Sequence, residues 1–272
     1  MKKDVLLIND MAGYGKVALS VMIPTLSKTG NRIHNLVSAI VSNTLDYGKF
    51  KILDTSDYMK QTMAIWDELN FHFDAIATGF ITDYKQAELV SGYLAKKAKE
   101  GVLVLCDPIM GDDGSLYPGM DESRVEAMKL LVEKANYMVP NYTEACLLTN
   151  TEYKENVDQE EIDNMILKLR DMNHQSIIIT SVYMDEKHCV VGYDHKTGEN
   201  FYLPYDYINV RLPGTGDIFA SVVLAGLLAK KDVKTSVKEA MQAVYNIILK
   251  NSDNEDKFAG VRIEEALQDD VL

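Results

Sequence analysis

FDAIATGFITDYKQAELVSGYLAKKAKEGVLVLCD, residues 73–107, reads as a strand, a helix and a second strand in immediate succession. The β-rich runs FDAIATG (73–79) and VLVLCD (102–107) flank a helical pattern over 83–100. Outward from this unit the alternation repeats. Further strand-like runs are DVLLIN (4–9), RIHNLVSAIV (32–41), YMVP (137–140) and SIIIT (176–180). Further helices are expected over 17–29, 57–69, 121–135, 141–149, 158–172, 216–229 and 234–250, with Pro24 set to kink the first. A βαβα series with near-continuous apolar strands implies an α/β class, a mainly parallel central sheet with helices on both faces and right-handed crossovers. One segment departs from the pattern. HCVVGY and ENFYLPY flank the turn-rich DHKTG, so a small β-hairpin is expected near 188–205.

A chain of 272 residues without a Pro/Gly/Ser linker reads as one domain, residues 1–272. Lys+Arg 28 against Asp+Glu 41 leaves a net charge of −13, which disfavours nucleic acid or an anionic membrane as partner. In the opening MKKDVLLINDMAG the apolar segment is interrupted by Asn9 and Asp10, so neither a signal peptide nor a spanning helix is expected, and the expected location is cytoplasmic. Cys106, Cys146 and Cys189 are odd in number and widely spaced, which speaks against a disulfide framework or a zinc site.

In a parallel sheet of this kind ligands gather at the carboxyl ends of the strands. Those ends carry Asp10-Met-Ala-Gly13, Ser42-Asn43, Gly79-Phe80, Asp107-Pro-Ile-Met-Gly-Asp112, Asn141-Tyr-Thr-Glu144 and Thr180-Ser181. Small, polar and acidic residues therefore crowd one edge. Gly13-Tyr-Gly15-Lys-Val-Ala18 matches the dinucleotide pattern GxGxxA, but the second strand ends in Val41-Ser42-Asn43 and lacks the acid that holds a ribose. A Walker A loop fails as well, because Lys16 precedes Val17 and Asp10 stands where the first glycine belongs. Asp107 and Asp112 bracket a Pro/Gly turn and offer the hard oxygens that Mg2+ takes; a plain turn is the competing reading. Asn141 and Glu144 form a capping box by spacing, which needs no function by itself.

In RLPGTGDIFAS, Arg211–Ser221, the glycines fall where a long apolar helix begins, the outline of an anion site. Alone, Asp217 is an ordinary first-turn acid. Taken with the acids at 107, 112 and 144 it suggests phosphoryl transfer from a metal-bound polyphosphate to an alcohol. Asp217 would take the hydroxyl proton while the N–H groups from Gly214 through Thr215 and Gly216 to Asp217 stabilise the moving phosphoryl group.

DPIMGDDGSLYPG, VPNYTEACLL, IIITS and LPGTGDIFASVVLAGLL, in this order, resemble the ribokinase superfamily. VSNTLDYGKF, TGFITDYKQAE, CDPIMGD and AVYNIIL within it are most similar to pyridoxal/pyridoxamine kinases, over Val5 to about Leu249. The resemblance implies a ribokinase-like fold and ATP-dependent phosphorylation of the 5′-hydroxymethyl group of pyridoxal, pyridoxamine or pyridoxine. It also implies a Mg2+ requirement, K+ stimulation and a homodimer. On it, Asp217 is the base and Gly214, Thr215 and Gly216 the anion hole. Asp107, Asp112, Asn141 and Glu144 become the metal and phosphate shell, with Asp107 and Glu144 as the metal ligands, and Thr180 and Ser181 become nucleotide contacts. Asp10, Val17, Ser42 and Phe80 line the ring pocket. Asp10 stands where many of these kinases have Ser, and an acid there resembles hydroxymethylpyrimidine kinases. That activity, and a non-catalytic nucleotide or vitamer binder, are the alternatives.

Overall fold

The apolar run that opens the chain forms strand β1 (Asp4–Tyr14) in the computed structural model, which describes residues 2–173 and 175–268. Val5, Leu6, Leu7 and Ile8 are all fully buried, which a strand covered on both faces requires. The chain makes two compact units, Met1–Thr82 with Ile208–Leu272, and Asp83–Tyr207.

In the first unit β1 is followed by α1 (Leu19–Lys28), β2 (Arg32–Asn43), β3 (Ile52–Asp54), α2 (Ser56–Glu68) and β4 (Ala75–Thr78). Strands β2 and β4 flank β1 in parallel, with Val5 opposite Ile33 and Ala75, and β3 closes the edge antiparallel to β2. The β1–β2 register slips between Asn9 and Met11, where Asn9 faces Val37 but Met11 faces Ile40. The extra residue lies on β2, and it bulges beside Asp10.

The second unit runs α3 (Tyr84–Lys99), β5 (Leu103–Cys106), β6 (Gly111–Asp112), β7 (Ser115–Leu116), α4 (Ser123–Val132), β8 (Tyr137–Met138), α5 (Tyr142–Thr149), α6 (Gln159–Met172), β9 (Ser176–Met184), β10 (Lys187–Asp194) and β11 (Glu199–Pro204). Strands β5, β8 and β9 are parallel, β10 and β11 add antiparallel, and β6–β7 is a separate two-residue ribbon. A second bulge sits in β9, since Val182 and Ile179 face Cys189 and Val191. Ser181 takes φ 58 there.

The chain returns to the first unit with α7 (Thr215–Leu228), α8 (Val233–Lys250) and α9 (Ile263–Gln268). Ile218 of α7 packs with Val21, Leu212, Ile247, Val261 and Ile263. Among the described residues four α-helices begin on a side chain that accepts from the N3 amide: Asp83, Asn141, Asp158 and Asp232 at α3, α5, α6 and α8. α7 begins on Gly214 instead, without a side-chain cap.

The expected helices form within two residues of their expected ends, except that α4 stops at Val132, three residues before 135, and α1 accommodates Pro24. The expected hairpin is β10–β11. Several expectations need correction. β1 runs five residues past Asn9, and β9 four past Thr180, because in each case bulged pairing with a neighbour carries the backbone beyond the polar residues that signalled an end. β3, the β6–β7 ribbon and α9 are too short to leave a periodic signal. Among the described residues no helix is long and apolar enough to cross a membrane. The three cysteines are buried and form no disulfide among the described residues.

Candidate active site

The first cluster gathers where β1 and β4 end and α7 begins. Gly214 occupies the left-handed region at φ 92, and a Cβ there would stand 2.6 Å from the Lys16 carbonyl oxygen, so only glycine fits. Gly216 differs: a Cβ built on it meets nothing within 4 Å. The first turn of α7 thus combines an uncapped helix N-terminus with open space, the arrangement that receives an anion. The Thr215 hydroxyl donates back to the Leu212 carbonyl at 3.0 Å and braces the turn.

Asp217 does not cap its own helix. Its Oδ2 accepts from the Ala18 N–H at 2.8 Å, and its Oδ1 from the Asn9 side-chain amide at 3.2 Å. The carboxyl is buried, which pushes its pKa up to about 6 even though those two donors favour the charged form. Asp10 is buried nearby, and burial followed by repulsion from Asp217 pushes it up to about 7. Two carboxyls so placed repel each other's charge and lose their protons in two steps that belong to the pair. A base that titrates near 6 is ionised at neutral pH yet still basic enough to take a proton.

Phe80 is buried with its backbone clamped on both sides: its N–H donates to Asn9 Oδ1 at 2.7 Å, and its carbonyl accepts from the Ser38 hydroxyl at 2.6 Å. Val17 is half-buried and lies beside Gly214. Ser42 is exposed, and its hydroxyl accepts from the Lys51 N–H at 2.8 Å and donates to Asn43 Oδ1 at 2.7 Å. It faces a separate hollow with Tyr14, Asn43, Tyr47, Lys49 and Asp256, not one shared with Asp217. Sequence reading missed Asn9, whose only signal is a polar residue at the end of an apolar run.

The second cluster belongs to the other unit. Asn141 accepts from the Glu144 N–H at 2.8 Å, and Glu144 Oε2 accepts from the Asn141 N–H at 2.8 Å, so the capping box is complete. Glu144 Oε1 accepts from the Met110 N–H at 3.1 Å, and the Asn141 amide donates to the Gly111 carbonyl at 2.8 Å. These bonds tie the Asp107–Asp112 turn to the start of α5. Burial, then repulsion from Asp107 and Asp112, raises the Glu144 pKa well above the usual range. Asn141 also bridges Thr180 in parallel, which brings the β9 bulge with Ser181 to the same strand end.

Three neighbouring carboxyls, one of them buried, call for a cation. Among the described residues no group of three His, Cys, Asp or Glu side chains has the geometry to hold a metal directly. The donor set suits Mg2+ held largely through its own waters by one or two carboxylates, and not a protein-only cage.

The sequence matches the phosphomethylpyrimidine kinase family over residues 23–261. The chain belongs to this family. A solved Bacteroides thetaiotaomicron structure, provisionally named a phosphomethylpyrimidine kinase and obtained with pyridoxal, is 32% identical with a TM-score of 0.93, covering 99% of this chain and 96% of that one. A Lactobacillus plantarum pyridoxal kinase structure is 25% identical with a TM-score of 0.88, covering 98% and 96%. Among curated relatives, the Dictyostelium discoideum pyridoxal kinase is 24% identical over 91% of this chain and 86% of its own length. These likenesses make the chain an enzyme of the kinase class with the ribokinase-superfamily α/β fold.

Proposed function

We propose that this kinase transfers the γ-phosphoryl group of ATP to the 5′-hydroxymethyl oxygen of a vitamin B6 vitamer. The observation that carries the reading is Asp217: a buried, doubly anchored carboxylate with a pKa of about 6 at the uncapped start of α7. The likeness to a structure obtained with pyridoxal supports the substrate class. Asp217 accepts the hydroxyl proton as the substrate oxygen bonds to the γ-phosphorus. The bond from that phosphorus to the β–γ bridging oxygen breaks, and ADP leaves. The N–H groups of Gly214, Thr215, Gly216 and Asp217 carry the charge that develops on the transferring group. Asp10, Val17, Ser42 and Phe80 are assigned to the ring, and Asp107, Asp112, Asn141, Glu144, Thr180 and Ser181 to the nucleotide.

Mg2+, held by Asp107 and Glu144, would neutralise phosphate charge when bound. On the resemblance we further assign one kinase domain over residues 1–272, K+ stimulation, a homodimer and a cytoplasmic location.

A second reading, a pyrimidine alcohol as acceptor, is favoured by the family match and by a 26% identical hydroxymethylpyrimidine/phosphomethylpyrimidine kinase of Aquifex aeolicus. ADP release measured with pyridoxal, pyridoxamine, pyridoxine and hydroxymethylpyrimidine separates them. Turnover confined to the vitamers is expected. Preference for the pyrimidine establishes the second reading, and absence of turnover on all four overturns both.

A further inference from the structure

The Asn9 carboxamide is the most heavily engaged side chain beside Asp217, and every one of its hydrogen-bonding valences is used. Its Oδ1 accepts from the Phe80 N–H at 2.7 Å and from the Asp10 N–H at 3.0 Å. Its Nδ2 donates to Asp217 Oδ1 at 3.2 Å and to the Met22 sulfur at 3.3 Å. A carboxamide has two acceptor sites and two donors, so nothing is left over. The orientation of the amide is also settled. Two backbone N–H groups converge on one end, and only the oxygen can accept them, so the NH2 end must face Asp217. The amide is buried against Gly79, where an added Cβ would stand 2.5 Å from Nδ2 and 2.6 Å from Oδ1. Gly79 is therefore the floor on which Asn9 lies.

We propose that Asn9 is a positioning residue for Asp217: the Phe80 and Asp10 amides lock its carboxamide, which fixes the plane of the Asp217 carboxylate and keeps a donor on the charged form. With Ala18 N–H on the other oxygen, rotation of the carboxylate would break one bond or the other. The lock also couples the ends of β1 and β4 to the base, so that the backbone beside Phe80 and the reacting carboxylate are set by a single side chain. This inference rests on Asp217 as the base. The ionisable group facing Asp217 is Asp10 on the same strand as Asn9. The nearby Lys16 is paired with Glu264, Arg211 with Asp46, and α8, packed on α7, carries Lys234, Lys238 and Glu239 exposed. α1 carries Lys28 at its far end.

The test is a carbon-detected NMR titration of the Asp217 carboxyl, assigned by its loss in Asp217→Asn, in wild type, Asn9→Ala and Gly79→Ala. Loss of one charge-assisted bond should raise its midpoint by about one pH unit in Asn9→Ala. Gly79→Ala should raise it likewise by displacing the amide without altering Asn9. In the Asn9→Ala background the Gly79→Ala change should become nearly silent, because the atoms it strikes are gone. In wild-type protein alone, the Asn9 side-chain amide protons should titrate together with the Asp217 carboxyl. In both single variants kcat should fall roughly tenfold at pH 7, with KM for ATP little changed, as misplacement of a base predicts. An unmoved midpoint, a pH-independent Asn9 amide, or additive effects in the double variant overturns the proposal. Failure of wild type to phosphorylate any alcohol would instead sink the functional reading, and the titrations would still decide this one.

Discussion

Helices α5 and α7 both carry an acid at their third helical position, Glu144 and Asp217, and the two acids are used in opposite ways. Glu144 turns back on its own helix, accepting from the Asn141 N–H, and ties down the Met110 N–H as well. Asp217 turns outward, to Ala18 and Asn9 far away in the chain. The difference begins with the residue that starts each helix. Asn141 has a side chain to complete a capping box, whereas Gly214 has none, and its φ of 92 admits none. One methylene matters too, because the shorter Asp side chain reaches its own N-cap amide less readily. A carboxylate that closes its helix is fixed to the scaffold and adds its charge to the Asp107–Asp112 turn. One that leaves its helix open keeps an anion site and a base side by side.

The comparison breaks first at Asp217. Asp217→Asn should lower kcat by about 10³-fold while ATP affinity stays near normal, since a positioned general base contributes in that range. Near-normal turnover would remove Asp217 as the base. Glu144→Ala should raise the Mg2+ requirement and also cost folding: it orphans the Met110 and Asn141 N–H groups, and a loss of about 3 kcal/mol is expected in denaturant unfolding. An unchanged midpoint of unfolding would mean that the box is idle.

Asp10→Asn sharpens the contrast through pH. The Asp10 carboxyl titrates near 7 when folded against 3.8 ordinarily, so its contribution to stability is full below the lower value and is lost as pH rises through the higher one. The asparagine removes that loss. Relative to wild type, Asp10→Asn should therefore gain stability between pH 5 and pH 8, on the order of 2 kcal/mol given partial coupling to Asp217. Equal stability differences at the two pH values would show that Asp10 is not the buried, repelled group described. The smallest expected effect is at Asp107. Asp107→Ala should raise the Mg2+ concentration for half-maximal rate about tenfold, with little change in the KM for the vitamer. A parallel rise in both would move Asp107 from metal to general scaffold.

Much of this molecule is written locally. The alternation of apolar runs and helical patterns, the Asn141–Glu144 box, the β10–β11 hairpin and the placement of Gly214–Gly216 at a helix start all depend on residues within a few positions of one another, and all are present in the fold. The β3 edge, the β6–β7 ribbon and the two bulges are not local in this sense: short strands and register shifts exist only because a neighbouring strand is there to pair. The same division runs through the site. Sequence named Asp217, but the direction in which its carboxylate points was decided by the Ala18 N–H, 199 positions away, and by Asn9, 208 positions away. Ser42 is named by its place at a strand end, but the direction of its hydroxyl comes from the bonds to Lys51 and Asn43. Backbone propensity and apolar periodicity act over a turn or two of chain, so the sequence by itself settled the elements and their order. Burial and long-range hydrogen bonds set the orientation and pKa of each carboxyl, and those come into being only when β1, β4 and α7 pack together.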